Sequence, residues 1–211
     1  MRGSSITAAV ILACLSATGV AWASEPIVVV RTYNSYGVPD HAMRSASKTV
    51  RRLFHDAGID TRWRSCRIVG RHSPADNDPC SEPLAPNEVI VRIVRGTVVA
   101  DGDTTMALGG AFVDPVTKSG ALATVFADRV ARTAGALRID LGTMVGRAIA
   151  HELTHLLLGT QAHAAAGLMR ATWRTTAEVR TEDADWLFTP EQRTVLPLAV
   201  AARLANVPQT R

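Results

Sequence analysis

Apolar positions along the chain follow two periodicities, which together predict both strands and helices. Short β-branched runs, some of them alternating with polar residues, predict five strands. The five lie at residues 26–32, 59–66, 88–94, 106–113 and 121–127. Residues 41–57 carry apolar side chains at helical spacing instead, and Gly58 is expected to end that helix. The segment 114–120 is rich in turn residues and predicts a hairpin between the last two strands.

Two further helices are indicated by residues that begin and end helices. Asp140 is suited to cap a helix over residues 141–158, and Gly159 is suited to end it. Near the C-terminus, Thr189 offers a cap, followed by proline and acidic residues in a first turn. This predicts a helical part over about residues 176–206. Since no repeat or linker divides the chain, we expect one α+β domain over residues 24–211.

The first 23 residues have the organisation of a secretory signal peptide. Arg2 gives a basic start, residues 6–20 are apolar, and residues 21–23 form a small-x-small cleavage site. We therefore expect cleavage after Ala23 and a secreted or periplasmic protein. Two alternatives remain open: lipoprotein processing at Cys14, and a buried N-terminal helix.

Composition narrows the classes of function. The chain has 47% hydrophobic and 20% charged residues, an ordinary globular composition that excludes disorder. Lys+Arg 23 against Asp+Glu 19 gives a net charge of +4 without a basic block, and aromatic content is 5%. We therefore expect no nucleic-acid partner. After the first segment no apolar run is long enough to span a membrane. We also expect a monomer.

Two cysteines are expected to form a disulfide. Signal removal takes away Cys14 and leaves Cys66 and Cys80, an even number in an oxidising compartment. The stretch between them is rich in Pro, Asp and Ser and is expected to be a loop. Closing a loop of about 15 residues is worth about 3 kcal/mol in the chain-entropy model. The alternative is a pair of free buried thiols.

The clearest chemical pattern lies in the helix predicted over residues 141–158. Residues 151–155 read His-Glu-Leu-Thr-His, so two histidines share one helix face and can converge on one zinc ion. Glu152 lies beside the first of them, where a carboxylate can take a proton from a water on the metal. The alternative is that His151 and His155 are surface residues of an amphipathic helix.

A catalytic zinc site takes three protein ligands and keeps its fourth position open. His163 is the first candidate for the third ligand, because it follows the helix end at Gly159 and the chain can turn back there. A glutamate later in the chain, Glu178 or Glu182, remains the alternative ligand. Met169 follows closely and is expected to form a hydrophobic floor under the site.

The motif His151-Glu152-x-x-His155, followed by Gly159, His163 and Met169, resembles the long zinc motif and Met-turn of the metzincin clan of zinc peptidases. The spacing departs from that pattern. Gly159 comes four residues after the second histidine and His163 four residues after Gly159, where the clan has three and three. The loop is therefore longer by two residues.

The resemblance implies a zincin-like fold, with a twisted mixed β-sheet of about five strands, an active-site helix and a C-terminal helical part. It also implies that strand 106–113, the fourth in order, forms the sheet edge along the cleft and pairs with an extended substrate. Trp173 would then lie near the wall of the primed-side pocket.

For function, the resemblance implies a zinc metallopeptidase that acts on peptide or protein substrates, and the signal peptide implies that it is exported. One Zn²⁺ per chain would be held by His151, His155 and His163, with Glu152 as the general base. The alternative is a non-catalytic, zinc-stabilised domain of the same fold that binds peptides or proteins. Glu152 favours the enzyme, because a purely structural zinc site has no use for an acid at that position.

Overall fold

Five strands form one mixed β-sheet in the order β2-β1-β3-β5-β4. The computed structural model describes residues 25–67, 78–96, 107–173 and 183–205. The strands are β1 (Ile27–Asn34), β2 (Asp60–Cys66), β3 (Glu88–Val94), β4 (Gly109–Asp114) and β5 (Ser119–Phe126). Strands β1, β2, β3 and β5 run parallel to one another, whereas β4 pairs antiparallel with β5 and forms one edge of the sheet. The predicted α+β class and the five-stranded mixed sheet are confirmed.

The central strands owe their position to β-branched side chains. Val30, Val89, Val91 and Ile93 of β1 and β3 are fully buried, as expected for parallel strands inside a sheet. The edge strand β4 alternates intermediate and exposed residues instead. It begins at Gly109, three residues later than the sequence predicted.

Four α-helices accompany the sheet: α1 (Asp40–His55), α2 (Ala127–Leu137), α3 (Leu141–Leu158) and α4 (Pro190–Ala205). Helix α3 has the predicted bounds, because the Thr143 backbone N–H donates to the Asp140 carboxylate at 2.8 Å and Gly159 ends the helix in the left-handed conformation. Helix α4 begins as predicted, since Thr189 and Gln192 each donate a backbone N–H to the other's side chain.

Helix α2 was not predicted, and the strand expected over 121–127 ran one residue into it. It follows β5 without a connecting loop, and no side-chain hydrogen bond caps its start at Phe126. The buried apolar face of α2 consists of Ala127, Val130, Ala134 and Leu137. That spacing is helical, and it is the signal in the sequence that could have identified this helix.

Helix α3 is enclosed by the rest of the protein, and every residue from Met144 to Leu157 is buried. It lies against α1 at the two glycines Gly142 and Gly146, which face Ala42 and Ala46. A Cβ atom at Gly146 would come within 2.7 Å of the Ala46 carbonyl oxygen. The two helices therefore touch through their backbones, and this contact fixes the position of α3.

The predicted disulfide is confirmed: Cys66 and Cys80 are bonded, with their Cα atoms 5.8 Å apart. It joins the end of β2 to the segment that leads into β3. The same segment is also attached to the sheet by Arg31 of β1, which donates to the carbonyl oxygen of Glu82 at 2.7 Å. The approach to β3 is thus attached to the sheet by one covalent bond and by a buried guanidinium.

Glu88 at the start of β3 pairs with two arginines. It accepts hydrogen bonds from the buried Arg31 and, at 2.9 Å, from Arg64 of β2. Burial by itself raises the pKa of Glu88, but the hydrogen bonds from Arg31 and from the Ala85 N–H, together with the charges of Arg31 and Arg64, bring it below its ordinary value of 4.5. Glu88 is therefore an ionised carboxylate that links the start of β3 to Arg31 of β1 and Arg64 of β2.

Several predictions concern residues outside the described ranges. These are the signal segment 1–23 with Cys14, and the alternative ligands Glu178 and Glu182. Among the residues that the structure does describe, no helix combines the length and the apolar character needed to cross a membrane.

Candidate metal centre

Three histidines converge at the C-terminal end of α3. His151 and His155 lie one helical turn apart, and the left-handed Gly159, with φ of 62°, turns the chain so that His163 faces them. The ring centroids of the three pairs are 4.8–5.2 Å apart. One ligand nitrogen from each ring lies within 4.8 Å of the others. The structure thus brings together the three histidines that the sequence singled out.

Backbone carbonyls orient two of the rings. His151 Nδ1 lies 2.9 Å from the Leu168 carbonyl oxygen, and His155 Nδ1 lies 2.8 Å from that of Thr160. Because a carbonyl oxygen only accepts, each Nδ1 must carry the proton and donate. Each Nε2 is then left with its lone pair, which is the form that binds a metal.

Those two Nε2 atoms face each other at 3.1 Å. With both protons on Nδ1, no hydrogen lies between them, so two lone pairs are directed at one point. Two nitrogen ligands on a tetrahedral zinc ion at ~2.0–2.1 Å would be separated by about 3.3 Å. The donor set and its spacing therefore fit zinc.

Burial favours the neutral form of His151 and His155. It lowers the pKa of His151 to about 4, with a further lowering by charge on His155 and His163, against the hydrogen bond to Leu168, which raises it. Burial also lowers the pKa of His155. His163 is exposed and closes the cluster on its solvent side.

Glu152 is a buried acid next to the cluster, with 6% of its surface exposed. Burial raises its pKa to about 8. The edge strand β4 passes directly against it: a Cβ atom at Gly109 would lie 2.7 Å from Glu152 Oε1 and 2.7 Å from the Thr124 carbonyl oxygen. Only glycine therefore fits at position 109 while Glu152 keeps its place.

A cleft of about 650 Å³ opens over the cluster. Its lining includes the three histidines and Glu152, residues 107–111 at the edge strand, Thr133 of α2 and residues 170–173. The strand expected to run along the cleft therefore does so. Three consecutive residues of β4, Gly109 to Ala111, line the cleft beside the histidine cluster.

The wall after the third histidine is built from aromatic rings. Trp173 lies edge-on to His151 with centroids 5.7 Å apart, and its Nε1 donates to the same Leu168 carbonyl oxygen at 3.3 Å. Trp186 packs behind it at 5.2 Å. Met169 is buried in the same segment, with 2% of its surface exposed; its function as a Met-turn stays a prediction.

Two cleft residues were missed by the sequence analysis. Gly109 is one, and Gln161 is the other: its Nε2 donates to the Ala111 carbonyl oxygen of β4 at 2.7 Å. Neither belongs to a local pattern, because each acts on a residue far away in the chain. The two extra residues between His155 and His163 were the available hint that this loop does something additional.

Solved structures that are similar to this chain include the following two proteins. Archaemetzincin from Methanopyrus kandleri matches with a TM-score of 0.54 and 14% identity, over 86% of this chain and 99% of that chain. Metalloproteinase-II from Bacteroides fragilis matches with a TM-score of 0.46 and 14% identity, over 83% of this chain and 53% of that chain. No family model and no curated protein matches the sequence. This chain has the zincin-like fold seen in archaemetzincin, and on it three histidines cluster in a way that fits a zinc ion.

Proposed function

We propose that this protein is an exported zinc-dependent metallopeptidase that hydrolyses peptide bonds. One observation carries the proposal: two imidazole lone pairs and a third histidine converge beside the buried acid Glu152. The archaemetzincin-like fold supports it. In this proposal His151, His155 and His163 hold one zinc ion per chain.

The chain's own residues account for the remaining chemistry. A bound zinc ion supplies a Lewis acid that polarises a carbonyl and lowers the pKa of water to about 7. Beside the positive charge of the zinc ion, Glu152 would be ionised despite its burial, so that it could take the proton from the attacking water and pass it to the leaving amine. The carbonyls of Leu168 and Thr160 hold the rings of His151 and His155 in their ligand orientation. The edge strand β4 offers backbone groups to the main chain of an extended peptide.

Export belongs to the same proposal. The segment of residues 1–23 directs the chain out of the cytosol and is then removed. The Cys66–Cys80 disulfide supports this, because such bonds persist in oxidising compartments. The mature protein works as a monomer on peptide or protein substrates.

The substitution Glu152→Gln tests the proposal. It keeps the size of the side chain and removes the base, so hydrolysis of a responsive peptide should fall by roughly 10²–10⁴-fold. Zinc content and thermal midpoint should stay close to wild type, because Glu152 is not a ligand. Peptides found by digesting a library with the mature protein provide the substrate, and metal analysis gives zinc per chain. Glu25→Gln, at an exposed position, is the matched control.

Three other outcomes would contradict the proposal in different ways. Unchanged hydrolysis in the Glu152→Gln variant would mean that another site runs the reaction. Loss of zinc would make Glu152 a ligand. A wild-type protein that holds one zinc per chain and cleaves nothing in the library would favour the non-catalytic binding domain.

A further inference from the structure

The loop that carries the third histidine reaches over to the edge strand. Gln161 lies two residues after Gly159 and two before His163, and its side chain is exposed. Its Nε2 nevertheless makes a 2.7 Å hydrogen bond to the backbone carbonyl oxygen of Ala111 in β4. Both residues belong to the lining of the cleft.

The Ala111 carbonyl points away from the sheet. In β4, Ala111 lies opposite Ala123, and the Phe126 N–H donates to the Leu108 carbonyl at 2.8 Å. Hydrogen-bonded residues alternate along an antiparallel pair, so Leu108 and Gly110 face β5. Ala111 therefore directs its own N–H and carbonyl to the free edge, where a strand added to the sheet would pair.

The loop holds Gln161 in place from both sides. The Thr160 carbonyl accepts the His155 Nδ1–H at 2.8 Å, and the Thr160 hydroxyl accepts the Ala162 N–H at 3.1 Å. The backbone next to Gln161 is thus bonded to His155 of the histidine cluster on one side and forms a tight turn on the other. The contact with Ala111 follows from the fold of the lengthened loop.

We propose that Gln161 is a gate on the substrate-binding edge: its amide occupies the Ala111 carbonyl that the main chain of an extended peptide needs. This inference rests on the proposed peptidase function and adds how that site admits its substrate. A peptide binds by displacing Gln161 and donating its own main-chain N–H to Ala111. Peptides with proline at the residue that faces Ala111 have no such donor and should bind more weakly.

The size of the effect follows from the exchange of one neutral hydrogen bond for another. Such a bond is worth roughly two- to tenfold in an equilibrium constant at an exposed position. Removing the Gln161 donor should therefore tighten peptide binding by roughly two- to tenfold. The chemical step should not change, because Gln161 touches neither Glu152 nor the ligand nitrogens in this mechanism.

The experiment compares Gln161→Ala, Gln161→Met and Gln161→Lys. The first two lack a donor, and methionine keeps the length of the side chain, whereas lysine keeps a donor. Peptide Kd is measured by calorimetry on the zinc-loaded Glu152→Gln background, and KM and kcat on the otherwise wild-type protein. We expect lower Kd and KM with unchanged kcat and zinc content for Ala and Met, and a smaller decrease in Kd and KM for Lys, which can still donate to Ala111.

The remaining outcomes overturn the gate, the proposed peptidase function or both. Unchanged or weaker binding in both Ala and Met variants would mean that Gln161 does not compete with the peptide. Loss of zinc would mean that Gln161 acts by positioning His163. If a peptide is cleaved and its Kd and KM do not change when Gln161 is replaced, the gate alone is refuted. A peptide that binds more tightly without Gln161 but is never cleaved refutes the peptidase alone, and absence of all peptide binding refutes both.

Discussion

At the scale of single residues, Gly109 and Glu152 constrain each other across the cleft. Gly109→Ala would place a methyl group 2.7 Å from Glu152 Oε1 and from the Thr124 carbonyl oxygen, so the carboxylate must move. A displacement of about 1 Å in a catalytic group can lower the rate by about 10²-fold. We expect kcat to fall by that order with zinc content unchanged, as measured by steady-state kinetics and metal analysis.

Gly110 provides the control for this prediction. It is the next residue of the same strand, and a Cβ atom there meets nothing within 4 Å. Gly110→Ala should therefore leave kcat near wild type. Equal losses in the two variants would show that the edge strand as a whole, and not the position of Glu152, had been disturbed.

The three histidines could be predicted from the sequence, whereas Gly109 and Gln161 could not. His151 and His155 are four residues apart, so helical geometry alone places them on one face. His163 could be predicted as the third histidine because it follows a helix-ending glycine within a few residues. Gly109 and Gln161 act through contacts between segments that are distant in the chain. A period or a spacing carries no information about such contacts.

At the scale of elements, the end of α3 sets the position of His163. Gly159 has φ of 62°, and a Cβ atom there would collide with the Lys118 carbonyl group. Gly159→Ala should cost more than the roughly 1–2 kcal/mol of a left-handed alanine, and it should weaken zinc binding because the loop must shift. Denaturant unfolding and chelator competition measure the two effects.

Gly37 separates backbone strain from collision. It has φ of 85°, and a Cβ atom there meets nothing within 4 Å. The Gly37→Ala variant should therefore lose stability only by the strain energy of a left-handed alanine, and its zinc affinity should not change. If the two alanine variants lose equal stability and bind zinc equally well, the Lys118 contact does not hold the loop.

Elements with chemical start and stop signals were the ones whose bounds could be predicted. Asp140 and Gly159 gave α3 its observed ends, and Thr189 gave the start of α4. Helix α2 has no capping side chain at Phe126 and follows β5 directly, so strand and helix patterns merged. The late start of β4 at Gly109 has a similar cause, since a glycine-rich edge has little periodicity of its own.

At the scale of the whole molecule, the buried Glu88 links stability to pH. Its folded-state pKa lies below 4.5, so its contribution to stability is present above that value and is lost as the pH falls through the lower folded-state pKa. Glu88→Gln leaves Arg31 buried without its anion and should cost about 3–5 kcal/mol at neutral pH.

The measurement is the free energy of unfolding from neutral pH into acid. The difference between wild type and Glu88→Gln should narrow once the pH falls through the folded-state pKa of Glu88, because the wild-type carboxyl is then protonated as well. Asp60→Asn on β2, whose aspartate is only partly buried, serves as the comparison. A gap that stays constant across the range would mean that Glu88 contributes through packing and not through charge.

The backbone contact between α1 and α3 has a consequence for protein engineering. Gly142 and Gly146 seat α3 against Ala42 and Ala46 with no room for a side chain, so this helix cannot be shifted to suit a new substrate. The walls are different: the part of β4 after Gly109 and residues 171–172 are surface segments whose side chains can be exchanged. Redesign of specificity should therefore randomise the walls of the cleft and leave the helix that carries the histidines untouched.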